Sequence, residues 1–236
     1  YRAKEVADAY MKLLSLSDAV IIDLTHNGGG DPSMVQYLCS YFFDKKIHLN
    51  SLYYREGDRT EEYWTLEKVE GKKLVDIPLF IMIGDETFSG AEEFSYNMQN
   101  LKRATLIGQT SAGGANPGET RGINKDLSVF IPTGRAINPI TNTNWEGVGV
   151  QPEIHTKKEE TLEQARILAQ KAADLLRKNK LETYIQLQQK PVSYTHLRAH
   201  ETVLDLVCRL LLEKKKQTYI LHVSTRTITK HNSPRN

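Results

Sequence analysis

The chain has 236 residues with 31 Lys and Arg against 29 Asp and Glu, but residues 191–236 hold 8 basic and 3 acidic side chains, leaving 23 against 26 before them. That slightly acidic body argues against a basic surface for nucleic acid or an anionic membrane, and no run is long and apolar enough to span a bilayer. Cys208 lies in the last stretch and Cys39 falls on an apolar helix face with Val35, Leu38 and Phe42, so no disulfide framework is expected and the redox compartment stays unread.

In chain order, a helix is predicted near 6–16 and a β-branched strand near 19–24, within D-A-V-I-I-D at 18–23. The strand runs into L-T-H-N-G-G-G at 24–30, where three glycines permit positive φ and close approach of the main chain. Neither G-K-[ST] nor the G-x-G-x-x-G spacing is present, so this is not read as a phosphate loop. Asp31-Pro32-Ser33 opens a helix near 33–43, and strands follow near 48–55, 63–69 and 79–83.

The last of these ends in G-D-E-T-F-S-G-A-E-E at 84–93, which places Ser89 where a strand turns into a helix near 91–101. A hydroxyl there meets the positive end of the helix and its unpaired N–H groups, a setting for a nucleophile whose attack creates an oxyanion. The same pattern describes an ordinary N-cap, and the residues alone leave both readings open. A strand near 104–108 then enters the turn of A-T-L-I-G-Q-T-S-A-G-G-A-N-P at 104–117. Residues 116–144 read as a hairpin with long loops, with a strand near 127–131, and N-W-E-G-V-G-V-Q-P-E-I at 144–154 carries a short strand near 147–150. A charged amphipathic helix near 161–178 closes a single α/β domain.

Taken together and in order, D-L-x-x-N-G-G-G, T-x-S-G-A-E-E-F, L-I-G-x-T-x-A-G-G-A and W-E-G-x-G-V-x-P-E-I resemble the S41 peptidases, the tail-specific or C-terminal processing family, over residues 17–156. The G-G-A-N-P and T-G-R-A-I-N-P stretches are similar to the branch related to the tricorn core protease and the interphotoreceptor retinoid-binding repeats. The resemblance implies a crotonase/ClpP-like β-α superhelix, a mixed sheet with flanking helices. It also implies a serine endopeptidase acting on peptide or protein, with no metal or cofactor, and a location outside the cytoplasm.

Carried over by position, Ser89 is the acyl-forming nucleophile, and the oxyanion hole joins the N–H of Gly90 to that of Gly28 or Gly29. His26, Gly113 and Gly114 lie beside the substrate, and Glu146 holds the place of a glutamate that supports a histidine base. Gly114 stands where the Ser/Lys branch has its lysine, so no such dyad is expected. The histidine of the tricorn-like branch would precede Tyr1, and the chain is read as part of a catalytic domain, expected to be inactive or nearly so on its own. His26 also reads as an exposed loop residue, His48 and His155 read as surface residues, and Thr25 stands where the family often has arginine.

Two other functions compete: a catalytically silent relative that binds a hydrophobic ligand or peptide, and an acyl-CoA enzyme of crotonase type. Retention of both Ser89 and Glu146 favours the peptidase, and no acid/base carboxylate beside the glycine turns speaks for the crotonase. Residues 1–180 are thus read as the partial catalytic domain and 181–190 as a polar linker. P-V-S-Y-T-H-L-R-A-H-E-T at 191–202 matches the translation of a widely used transposase sequencing adapter, followed by an index gap, a primer and a lysine run to 216. Residues 191–236 are therefore expected to be non-biological, the plain alternative being an amphipathic helix with a basic tail.

Overall fold

Two apolar runs without alternation, V-I-I and L-F-I-M-I, fix the centre of the fold, because a strand covered on both faces needs apolar side chains in both directions. A computed structural model describes residues 2–189 and the backbone of 219–222. The elements are α1 (Arg2–Leu14), β1 (Val20–Asp23), α2 (Pro32–Ser40), β2 (His48–Tyr54), β3 (Arg59–Trp64), β4 (Leu79–Ile83) and α3 (Gly90–Asn100). Then come β5 (Ala104–Gly108), β6 (Gly118–Gly122), β7 (Ser128–Pro132), β8 (Gly134–Ile137), β9 (Ile154–His155), α4 (Thr161–Gln189) and β10 (Tyr219–His222).

The main sheet has the order β10-β1-β4-β5-β9, with every pairing parallel. Val20, Ile22, Leu79, Ile81 and Ile83 face a core shared with α1, α2 and α3. The alternate residues Ile21, Phe80 and Met82 face Ala165, Ala169 and Ala173, one alanine per turn along α4. Small side chains at that spacing let α4 lie close against the sheet. The antiparallel strands form a three-stranded sheet, β3-β2-β8, and a separate β6-β7 hairpin. The fold is therefore α/β, as the resemblance implies, with the interior strands β1, β4 and β5 delivering the turns of the first three motifs from their shared C-terminal end.

Several sequence expectations shift. The strand expected near 63–69 lies at Arg59–Trp64, because the bend at Arg55–Asp58, with Gly57 at φ 75°, returns the chain at once along β2. Residues 147–150 form no strand: Gly147 and Gly149 sit at φ 70° and 71°, which wraps this segment instead of extending it. The 116–144 region holds β6 and β8 as well as β7. The segment read as a polar linker is helical to Gln189, the exposed continuation of α4. The reading of 191–236 lies almost entirely outside the described residues, and only the backbone of β10 beside β1 can be stated.

Candidate active site

The site begins with a backbone that a serine rarely adopts. Ser89 is the N-cap of α3 at φ 53° and ψ −120°, a conformation costing on the order of 1–3 kcal/mol unless the surroundings hold it. Thr87, fully buried, holds the approach to it: its Oγ1 donates to Leu24 O at 2.8 Å and accepts from Gly84 N–H at 2.9 Å. Phe88 N–H donates to Asn27 O at 3.0 Å, so the turn after β4 is fastened to the turn after β1.

Those two turns touch through their main chains. A Cβ placed on Gly29, at φ +94°, would lie 2.6 Å from Gly90 N and 2.8 Å from Ser89 Cβ. One placed on Gly90 would lie 2.8 Å from Gly30 O. Only glycine fits either position, and the expected neighbours Ser89, Gly90 and the 28–30 turn are together. Gly29 N–H, however, donates to Asn27 Oδ1 at 2.8 Å, so of the two expected partners for Gly90 it is the engaged one.

Sequence reasoning missed Glu92. It is fully buried, and its two oxygens accept from Ser89 N–H at 2.8 Å, Ser111 Oγ at 2.5 Å, Gly113 N–H at 2.6 Å and Gly114 N–H at 2.9 Å. The main-chain donors of Gly113 and Gly114, expected beside the substrate, are thereby taken by Glu92, and a Cβ on Gly114 would strike the Phe88 ring. The S-x-x-E spacing of a capping box was the available signal.

Glu146 completes the same turn from the other side: its Oε2 accepts from Ala115 N–H at 2.7 Å and Asn116 N–H at 2.9 Å. Buried Trp145 donates from Nε1 to Gly114 O at 3.2 Å, and Gly147 N–H to Gly113 O at 2.8 Å. Glu93, next along α3, is also buried, and loss of solvent pushes its carboxyl up to about 7. Burial, with the charge of Glu93 behind it, likewise raises the Cys39 thiol far above its usual value.

His26 is exposed, with Nδ1 3.0 Å from Glu86 Oε2, which agrees with the loop reading. That hydrogen bond first, and the Lys158 ammonium second, hold Glu86 below the usual carboxylate range. His155 is exposed, while His48 is half-buried and stacks on Trp64 at 4.4 Å. An apolar cleft of about 570 Å³ opens beside the glycine contact, between Val6, Tyr10 and Met11 of α1, Val35 and Leu38 of α2, and Phe94 of α3. The backbones of Gly29, Gly30 and Gly90 form its end wall. Among the described residues no group of three or more His, Cys, Asp or Glu could hold a metal, and no helix is long and apolar enough to cross a membrane.

The sequence model of peptidase family S41 matches residues 2–156. Among solved structures, the photosystem II D1 C-terminal processing protease superposes with a TM-score of 0.53 at 17% identity, over 65% of this chain and 38% of that one. A lipoprotein from Streptococcus agalactiae gives 0.51 at 18%, over 71% and 62%, and mature CPAF gives 0.57 at 14%, over 91% and 48%. At such identities the likeness is one of fold, and the chain spans less than two thirds of each of these proteins. With the family match covering well over half of the sequence and the four motifs folded onto one another, this chain belongs to peptidase family S41.

Proposed function

We propose that this peptidase is a serine endopeptidase in which Ser89 Oγ attacks the scissile carbonyl of an extended peptide. The new C–O bond makes a tetrahedral oxyanion as the hydroxyl proton passes to the base; collapse breaks the C–N bond, the base returns that proton to the leaving amine, and water hydrolyses the acyl-serine left behind. The oxyanion is received by Gly90 N–H at the start of α3 and by Gly28 N–H of the facing turn. Each such donor contributes about 3–4 kcal/mol to the transition state.

One observation supports this above the others: a Cβ on Gly29 would lie 2.6 Å from Gly90 N and 2.8 Å from Ser89 Cβ, so the main chains of two separate turns meet beside the proposed nucleophile. The cleft at the same contact takes an apolar side chain of the peptide. In this reading Glu146, whose Oε2 accepts from the 115–116 amides, is the carboxylate that supports a histidine base. A site of action outside the cytoplasm accompanies this reading.

A fluorophosphonate probe, applied to the chain and to the chain with upstream sequence restored, tests the proposal. A covalent adduct on the peptide containing Ser89, absent in Ser89→Ala, is the expected result. Labelling that persists in Ser89→Ala removes the nucleophile. The apolar character of the cleft favours one second reading, a silent binder of hydrophobic ligands: tight retention of such a ligand without any adduct in either form is its signature.

A further inference from the structure

We infer that Glu92 is the positioning residue of this site, acting through the Ser89 backbone and through the 111–114 turn; this rests on the reading of Ser89 as nucleophile. A capping box asks a single bond of its glutamate, from the N-cap N–H, while the N-cap side chain faces the N–H of that same glutamate. Glu92 makes that bond and also engages three donors from a segment 19 to 22 residues away. Ser111 passes the link further, since its Oγ accepts from Val150 N–H at 2.7 Å. One carboxylate thus joins the nucleophile turn, the turn after β5 and the segment after Trp145.

Its chemistry fits this role and no other in the reaction. Each oxygen already accepts from two donors and the side chain is fully buried, so no position on the carboxylate is left for Ser89 Oγ. What it can do is fix the peptide between Phe88 and Ser89. Charge-assisted bonds of 2.5–2.9 Å are strong enough to hold a conformation that serine does not choose. If Ser89 relaxes to negative φ, its Cβ leaves the contact with Gly29 and the hydroxyl leaves the oxyanion donors.

Glu92→Gln tests this, because the amide must point donor hydrogens at groups that are themselves donors. In its crystal structure Ser89 should leave the positive-φ region while Phe94 and Met98 keep their places. In solution the amide protons of Ser89, Gly113 and Gly114 should move upfield together. With a fluorophosphonate at varied concentration, the limiting labelling rate should fall on the order of 100-fold while the half-saturating concentration stays unchanged, as expected for misplacement of a reacting atom. An unchanged Ser89 backbone with unmoved amide signals overturns the inference, as does a loss confined to probe affinity.

Should the glutamine variant not fold, Glu92→Asp decides: it keeps the charge but not the reach, and a wild-type limiting rate overturns the proposal. If neither the wild-type chain nor its upstream-restored form shows Ser89-dependent labelling, it is the nucleophile reading that fails. The amide shifts and the Ser89 backbone then still decide whether Glu92 positions this turn.

Discussion

Glu92 and Glu93 are adjacent carboxylates in one turn of α3, both buried, with opposite surroundings. Glu92 is met by four donors, whereas Glu93 has lost its solvent and its carboxyl rises to about 7 from an ordinary 4.5. The folded state therefore holds a proton on Glu93 that the unfolded chain releases between those two values. Stability from this group is complete below the unfolded value and is lost as pH rises through the folded one, by about 3 kcal/mol in all. Urea unfolding of wild type and Glu93→Gln at pH 5, 6, 7 and 8 should show the wild type declining relative to the variant, with the steepest change between pH 5 and 7. A difference that does not vary with pH would remove Glu93 from the account. At Gly29 the constraint is steric: Gly29→Ala places its methyl against Gly90 N at φ +94° and must push the two turns apart. Loss of Ser89 labelling with α/β circular dichroism retained is the expected outcome, and undiminished labelling would contradict the contact described.

Among the elements, β4 and β5 lie where the sequence placed them: β4 is an unbroken apolar run, as a parallel strand covered on both faces should be, and the shorter L-I core of β5 ends in the glycine that marks its turn. β3 was displaced because R-T-E-E-Y-W carries no such mark: its identity comes from pairing with β2. Likewise G-E-T-R-G of β6 is mostly exposed and is a strand only because β7 lies beside it. The α4 alanines illustrate the opposite case, a pattern legible as a helix face whose meaning depends on the sheet beneath. Ala169 is fully buried against β1, β4 and β5. Ala169→Leu adds three carbons to a packed interface and should cost about 1–3 kcal/mol, read from the thermal or urea midpoint. Ile167→Leu, at an exposed position of the same helix, should leave the midpoint within about 0.5 kcal/mol. Equal effects at the two positions would mean that α4 does not pack as described.

At the scale of the whole molecule, the site is built by contacts between segments far apart in sequence, which is why it was only partly legible. Ser89, Gly90 and the 28–30 turn carry local signs, a strand running into glycines and a helix start, and they meet as those signs imply. Glu92 carries none beyond a capping box, because three of its four donors lie in the turn after β5. The same turn is gripped at its other end by Glu146, so one loop answers to two carboxylates from different motifs. A loop held in this way should yield as a unit. Ser111→Ala removes the buried hydroxyl that joins Glu92 to Val150 N–H, and leaving such groups unpaired costs about 1–3 kcal/mol. Glu146→Ala removes an exposed carboxylate from the amides of Ala115 and Asn116, at smaller cost. Once either grip is lost the loop can shift, and the other bonds are worth less. The double variant should therefore lose less stability than the sum of the two singles, with a coupling of about 0.5–3 kcal/mol in urea unfolding. Strict additivity would mean that the two ends of the turn are held independently, and that the second and fourth motifs meet at this loop without acting together.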